Sequence, residues 1–295
     1  MKINYKIALV FIFIGSIIFG SGYIGNQIAL NNGLSTLELI TGRMFIATVV
    51  LGAILFKRLK HITKAEFLAG AFVGAMNFGH FGFQIWGLGH TTTSINAFVT
   101  STYVVMVPFV HWLYYKKSPG IHPLIGAGLT IIGVGFISLN DGFTLSFGVI
   151  LTLICALFTA VRIFGLEIFT KKFDPINLTL IMLGTCFSFA LTATLISYTA
   201  FGAVPVTLNS NILLVLLYLG VVSTIVPFTL INIGHKYVPA TQASLIMAGE
   251  SIFATLFAFL IFSEGLTVNK LIGFVLIFGA IVIAETKLFA NTNRL

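Results

Sequence analysis

Ten apolar runs of membrane-spanning length follow one another along this chain, starting near Ile7, Thr36, Ala65, Thr93, Ile121, Leu145, Asn177, Asn211, Ala240 and Val268. Crossing the hydrocarbon core of a bilayer takes about 20 helical residues. Backbone inside that core must bond to itself, so runs of this kind become helices. The breaks fall where turn residues or charge appear: Asn31-Asn32-Gly33, Lys57 to Lys64, Gly87 to His90, Ser118-Pro119-Gly120, Asn140-Asp141-Gly142, Lys171 to Pro175, Gly202 to Asn209, His235 to Pro239 and Ser263 to Gly265. Almost nothing remains for a soluble domain. The first run lacks a small-residue cleavage pattern and is followed by more spans, so it reads as a retained helix.

Composition agrees: 58% hydrophobic residues, 8% charged and a mean hydropathy of +1.06 lie outside the soluble globular range. The net charge of +8 does not point to nucleic acid, because Lys and Arg are scattered between apolar runs rather than gathered in one patch. They act instead as orientation signals. With both termini in the cytoplasm, Lys2, Lys6, Lys57, Arg58, Lys60, Lys64, Lys116, Lys117, Lys171, Lys172, Lys236, Lys287 and Arg294 fall inside. Lys270 alone falls outside, and Arg43 and Arg162 lie within spans. The expectation is a multi-pass protein of the cell membrane with both ends cytoplasmic. Cys155 and Cys186 sit inside apolar runs without metal-ligand spacing, so neither a disulfide framework nor a metal site is expected.

The two halves resemble each other weakly. A shift of 147 positions sets Leu124-Ile125-Gly126 on Leu271-Ile272-Gly273, Leu113 on Leu260 and Tyr103 on Glu250. Five spans per half is an odd number, so the second half enters the membrane in the opposite orientation. The expected fold is therefore all-α, ten transmembrane helices as two inverted five-helix repeats, residues 1–140 and 141–295. Transporters are often built this way, with the substrate site between the halves near the midplane.

Polar side chains within the spans fall in stripes at helical spacing. Ser16, Tyr23 and Gln27 share a face of the first span; Asn77, His80 and Gln84 share one in the third; Asn96, Thr100 and Tyr103 share one in the fourth. Thr152, Thr159 and Arg162 lie within one broad face of the sixth, and Gln242, Met247 and Glu250 are candidates on the ninth. Single hydroxyls and amides can simply join helices by hydrogen bonds. Taken together the stripes favour a central water-filled cavity, since buried polar groups need partners or water. Trp86 and Tyr23 offer apolar walls for a substrate, although aromatic residues on such helices also serve packing. The fifth and tenth spans are almost free of polar groups, and Gly126, Gly133, Gly273 and Gly279 are assigned to close packing between halves or in a homodimer.

Ionisable groups deep in spans are costly and normally face a cavity or a partner. Arg43, Arg162 and Glu250 are the three placed that deeply, and two roles stand open for them: a structural ion pair, or binding of substrate or a coupling proton. Glu38, Glu167 and Glu285 lie near span ends, where a loop contact explains them. His80 is a candidate for a proton route or a hydrogen-bonded packing residue.

Four stretches resemble the drug/metabolite transporter superfamily, EamA type. They are "FGSGYIGNQIA" from Phe19, "LSTLELITGR" from Leu34, "SINAFVTSTYVVMVPF" from Ser94, and the run from Ala243 to Glu285. Phe19 stands where the family usually has Trp, and Thr36 and Ser251 where it usually has proline, which removes the expected bend signals there. The resemblance implies ten helices in inverted repeats around a central cavity and, commonly in the family, export of amino acids or other small metabolites. No cofactor is expected. The lipid bilayer, a small-molecule substrate and coupling protons are the partners expected. Two other classes stand against it. A sensor or scaffold without flux would keep the same fold, and a membrane-embedded enzyme would need an acid–base or metal constellation that the sequence does not contain.

Overall fold

A computed structural model describes residues 3–118, 120–138, 146–207 and 209–291, and those residues form helices and no strand. In chain order they are α1 (Tyr5–Asn31), α2 (Thr36–Leu55), α3 (Lys64–Leu88), α4 (Thr93–Thr100), α5 (Tyr103–Tyr115), α6 (Ile121–Ser138), α7 (Phe147–Phe169) and α8 (Pro175–Ala200). Then follow α9 (Ser210–Leu217), a π-helical segment (Tyr218–Ile225), α10 (Val226–His235), α11 (Ala240–Met247), α12 (Gly249–Phe262) and α13 (Val268–Asn291). Leu145, the Asn140-Asp141-Gly142 break and the expected boundary between halves lie outside the described residues, as do Lys2, Arg294 and the Glu285 and Lys287 side chains.

Seven helical stretches are long and apolar enough to cross a membrane: α1, α2, α4 with α5, α7, α8, α9 through α10, and α11 with α12. Ile121–Phe136 and Val268–Ile283 are shorter apolar helices. The 25-residue α3 is long enough but carries Asn77, His80 and Gln84 along its middle. Three of the breaks read from the sequence hold a helix cap, at Thr63, Asp174 and Asn209, and four more caps lie outside them. Asn4, Ser35, Thr63, Thr92, Ser146, Asp174 and Asn209 each accept a hydrogen bond from a backbone amide of the first turn that follows. The bundle is apolar outside and buries polar side chains among an apolar core: Leu113, Leu260 and Val275 are at least 65% exposed, while Asn77, Asn96, Thr100 and Asn232 are wholly buried. Lipid is the solvent that suits such a surface.

Two spans are broken at the same place. The fourth parts at Ser101-Thr102 between α4 and α5, and the ninth parts at Ala248 between α11 and α12. Hydroxyls bend back onto the preceding turn at both: Thr102 Oγ1 donates to the Val99 carbonyl at 2.7 Å, and Ser251 Oγ to the Ala248 carbonyl at 2.8 Å. Ser251 thus accompanies a break without proline, and α5 runs on through Pro108. Thr93 and Ala240 open the first pieces, Lys116 and Ser263 close the second with left-handed φ of 56° and 52°, and Ile121 and Val268 open the next helices. Each of these pairs is 147 positions apart, the shift that aligned the sequence.

The eighth span has a different irregularity with a clear cause. Pro227 has no amide hydrogen and its ring crowds the carbonyl four residues back, that of Ser223. The ladder widens into the π-helical segment just before it, and Thr224 Oγ1 donates to the Leu219 carbonyl at 2.6 Å. Elsewhere helices meet through glycine. A Cβ on Gly148 would stand 2.7 Å from the His90 carbonyl oxygen and 2.8 Å from that of Gly87, which fixes the crossing of α7 on α3. α6 and α13 pack on each other, with Gly133 against Ile277 and the Gly273 carbonyl, whereas space is open around Gly279.

Candidate functional site

The breaks at Ser101-Thr102 and Ala248 place the first turns of α5 and α12 inside the bundle, and Tyr103 and Glu250 occupy those turns. A helix N-terminus carries partial positive charge and favours a carboxylate. Glu250 shares one enclosed pocket with Phe19, Gly22, Tyr23 and Asn26 of α1, Arg43 of α2, His80, Phe81 and Gln84 of α3, Thr159 and Arg162 of α7, and Met247 of α11. The space open to the centre of a water molecule is about 20 Å³, room for one or two waters. The pocket is largely filled by its own side chains in this conformation.

Arg43 is fully engaged. Its Nε donates to Thr224 Oγ1 at 2.6 Å, Nη1 to Asn26 Oδ1 at 3.2 Å and Nη2 to the Ser223 carbonyl at 2.7 Å, and its guanidinium lies 4.4 Å from the centre of the Phe81 ring. The carbonyl that Pro227 displaces is the one Arg43 captures. Its partners are neutral, so the ion-pair role considered for Arg43 is replaced by a clamp on the π-helical segment.

Arg162 contrasts with it. It is 2% exposed, lies 5.2 Å from the centre of the Phe228 ring, and has no hydrogen-bond partner for Nε or Nη1. Glu250 lines the same pocket, yet the two form no ion pair; those among the described residues are Arg58–Asp174, His111–Glu167 and Lys171–Glu167. A buried guanidinium with unpartnered nitrogens and a carboxylate across a small cavity form a divided charge pair. Tyr23 completes the middle: its hydroxyl accepts from Gln84 Nε2 at 2.9 Å and stands beside the Glu250 carboxylate. Thr159 Oγ1 lies 2.9 Å from the Cys155 carbonyl and 2.7 Å from His80 Nδ1, and Cys155 Sγ lies 3.2 Å from the same ring nitrogen, which ties α3 to α7 beside the pocket.

The pocket therefore gathers Tyr23, Arg43, His80, Gln84, Thr159 and Arg162 with Glu250. It does not gather the rest. Trp86 is 47% exposed and packs edge-on against Phe147, which corrects its assignment as a cavity wall. Gln27 turns aside to Asn31 at 3.0 Å. Asn96 ties helices together by donating to the Gln84 carbonyl at 3.1 Å and to Thr152 Oγ1 at 2.8 Å, a packing role. Asn77, Thr100 and Tyr103 are buried outside the pocket lining, and their polar side-chain atoms lack hydrogen-bond partners. The break between Thr100 and Tyr103 accounts for the loss of the fourth-span stripe, which presumed one continuous helix. Asn26, one residue before Gln27, is the pocket residue the sequence stripe passed over.

Both ends of the bundle are latched. At one end Glu264 accepts from the Thr93 and Ser94 amides at 2.8 and 3.1 Å and from Ser94 Oγ at 2.7 Å, and Glu38 accepts from Tyr198 Oη and the Val206 amide, both at 2.8 Å. At the other end His111 meets Glu167 at 2.8 Å and Tyr5 donates to Gln242 at 2.7 Å.

The model of the EamA-like transporter family, part of the drug/metabolite transporter superfamily, matches residues 6–139 and again 146–286. An uncharacterized transporter of Archaeoglobus fulgidus is 30% identical over 272 residues, 92% of this chain and 83% of that one. A second uncharacterized transporter of the same organism is 30% identical over 164 residues, 56% of this chain and 57% of its own. A solved crystal structure of a protein aligns with a TM-score of 0.67 over 95% of this chain and 98% of that chain, at 14% identity, and so shares the fold. With the family matched over most of its length, this chain belongs to the EamA-like transporters of the membrane.

Proposed function

We propose that this protein exports amino acids or other small zwitterionic metabolites by alternating access between two inverted five-helix halves, without ATP. The observation that carries the reading is the divided charge pair: Arg162 offers unpartnered nitrogens to a carboxylate, and Glu250 offers a carboxylate to an ammonium, across one pocket. A charge left alone at this depth is costly, and a zwitterion would supply both partners at once. The twin breaks 147 positions apart and the two stretches matched by one family support the repeat, and broken helices around a midplane site are how such transporters hold charged solutes. Latches at both ends and the small closed pocket are what an occluded step of the cycle requires. Glu250 is also the group we assign to a coupling proton, exchanged when substrate binds.

The test is flux in proteoliposomes. Free amino acids should move, and the same compounds acetylated on the amine or amidated on the carboxyl should not. Equal movement of free and blocked forms would overturn the assignment to this charge pair. Tight binding of an amino acid with no movement would favour a sensor.

A further inference from the structure

Below the pocket lies a second polar column. On α10, Phe228, Asn232 and His235 share one face at spacings of four and three. Phe228 carries Arg162 against its ring, so the face begins at the pocket floor, and His235 ends it as the last residue of the helix, next to the exposed Lys236. Asn232 Nδ2 donates to Thr179 Oγ1 of α8 at 2.9 Å, near the start of that helix, where Asp174 pairs with Arg58. α3 reaches α10 through Phe81, whose ring centre lies 6.1 Å from that of Phe228, and carries Asn77 one turn earlier, three residues from His80 of the pocket, while α7 runs from Arg162 to Glu167, which holds His111 and Lys171.

These side chains are almost without solvent exposure: Asn77 0%, Arg162 2%, Asn232 0% and His235 1%. Seven of their polar atoms have no hydrogen-bond partner: both of Asn77, Nε and Nη1 of Arg162, Oδ1 of Asn232, and both ring nitrogens of His235. Buried polar groups are normally bonded, and an imidazole with neither nitrogen engaged is a marked exception. Here they sit on α3, α7 and α10, which meet at the Phe228 ring, and Asn77, Asn232 and His235 lie from there toward the helix ends next to Arg58, Lys171 and Lys236.

We propose that Asn77, Asn232 and His235 line the leg of the transport route that joins the pocket to this basic face, closed here and filled with water when that side opens. The proposal rests on the transport reading above. Hydration of the open leg gives each orphaned atom its partner, which provides the energy difference that favours opening. Between Arg162 and the His111, Glu167 and Lys171 group, the leg is lined by the hydrogen-bonding side chains of Asn77, Asn232 and His235.

Water accessibility tests this directly. In protein with Cys155 and Cys186 replaced by alanine, single cysteines at His235 and Asn232 are exposed to a membrane-impermeant methanethiosulfonate from either side of the vesicle. We expect modification at least ten-fold faster from the basic face than from the opposite one, and at least ten-fold faster than Ala47→Cys, a buried packing position on α2. Rates no higher than Ala47→Cys from both sides would overturn the proposal. The variant His235→Leu gives a second readout: its melting temperature should rise while flux falls at least ten-fold. A lowered melting temperature with unchanged flux would show a packing residue instead. Flux by the wild type with an unreactive His235→Cys refutes the leg alone, whereas a reactive His235→Cys in a chain that carries no solute refutes the transport reading alone.

Discussion

Arg43 and Pro227 should be energetically coupled, because the carbonyl that the proline frees is the one the arginine binds. Arg43→Ala removes the donor from the Ser223 carbonyl, the Thr224 hydroxyl and the Asn26 amide. An orphaned buried group costs about 1–3 kcal/mol in soluble cores, while hydrogen bonds between membrane helices average about 0.6 kcal/mol, so three groups together give about 2–9 kcal/mol. Removing a buried charge returns part of that loss, which puts the expected destabilisation toward the lower end, about 2–4 kcal/mol. For a chain of this size about 1 kcal/mol corresponds to roughly 2–4 °C, so the melting temperature in detergent should fall by at least about 4 °C. Arg43→Lys should fall between, since one ammonium cannot reproduce the fork of three donors. The decisive variant adds Pro227→Ala to Arg43→Ala. The new amide of residue 227 can then bond the Ser223 carbonyl, restoring about 1 kcal/mol or more that the same substitution does not provide beside an intact Arg43. If Arg43→Ala melted like the wild type, or if the two changes were simply additive, the clamp would be refuted.

Three further outcomes follow from the same geometry. Glu264→Gln removes the charge from the three bonds at the start of α4, so a single cysteine at Gln84 should be labelled several-fold faster from that end; an unchanged rate would show that Glu264 latches nothing. Cysteines at Arg58 and Lys270 should react from opposite sides of the membrane, and same-side labelling would undo the orientation drawn from the basic residues. Gly148→Ala should cost about 1–3 kcal/mol in thermal stability because its methyl group would meet two backbone carbonyls, and an unaffected melting temperature would mean that α3 and α7 can part freely.

Much of this arrangement was legible because lipid leaves few alternatives. Apolar runs could only become helices, and the breaks that hold Thr63 and Asp174 cap the helices that follow them. Arg43, Arg162 and Glu250 stood out because charge inside a span needs an explanation, and all three reach the pocket. Helical periodicity failed where the helix itself is irregular. The break after Thr100 turned Tyr103 off the stripe shared with Asn96, and a one-residue difference in helix rotation selected Asn26 over Gln27. The partners of Arg43 were hidden for a related reason. Ser223 and Thr224 are ordinary hydroxyl residues until Pro227 opens the ladder next to them, a consequence that a simple periodic reading of the eighth span does not contain. Trp86 illustrates a third limit, since aromatic side chains serve lipid contact and cavity walls equally well and only their burial distinguishes the two.

The most direct test of the central claim is amino-acid flux through Glu250→Gln protein in proteoliposomes, alongside its melting temperature. Glutamine keeps the shape of the side chain while removing the charge that faces Arg162 across the pocket. The expected result is a stably folded protein whose flux falls at least about ten-fold, equivalent to about 1.4 kcal/mol or more of lost binding or barrier stabilisation. A folded Glu250→Gln protein that carries amino acids at the wild-type rate would contradict it.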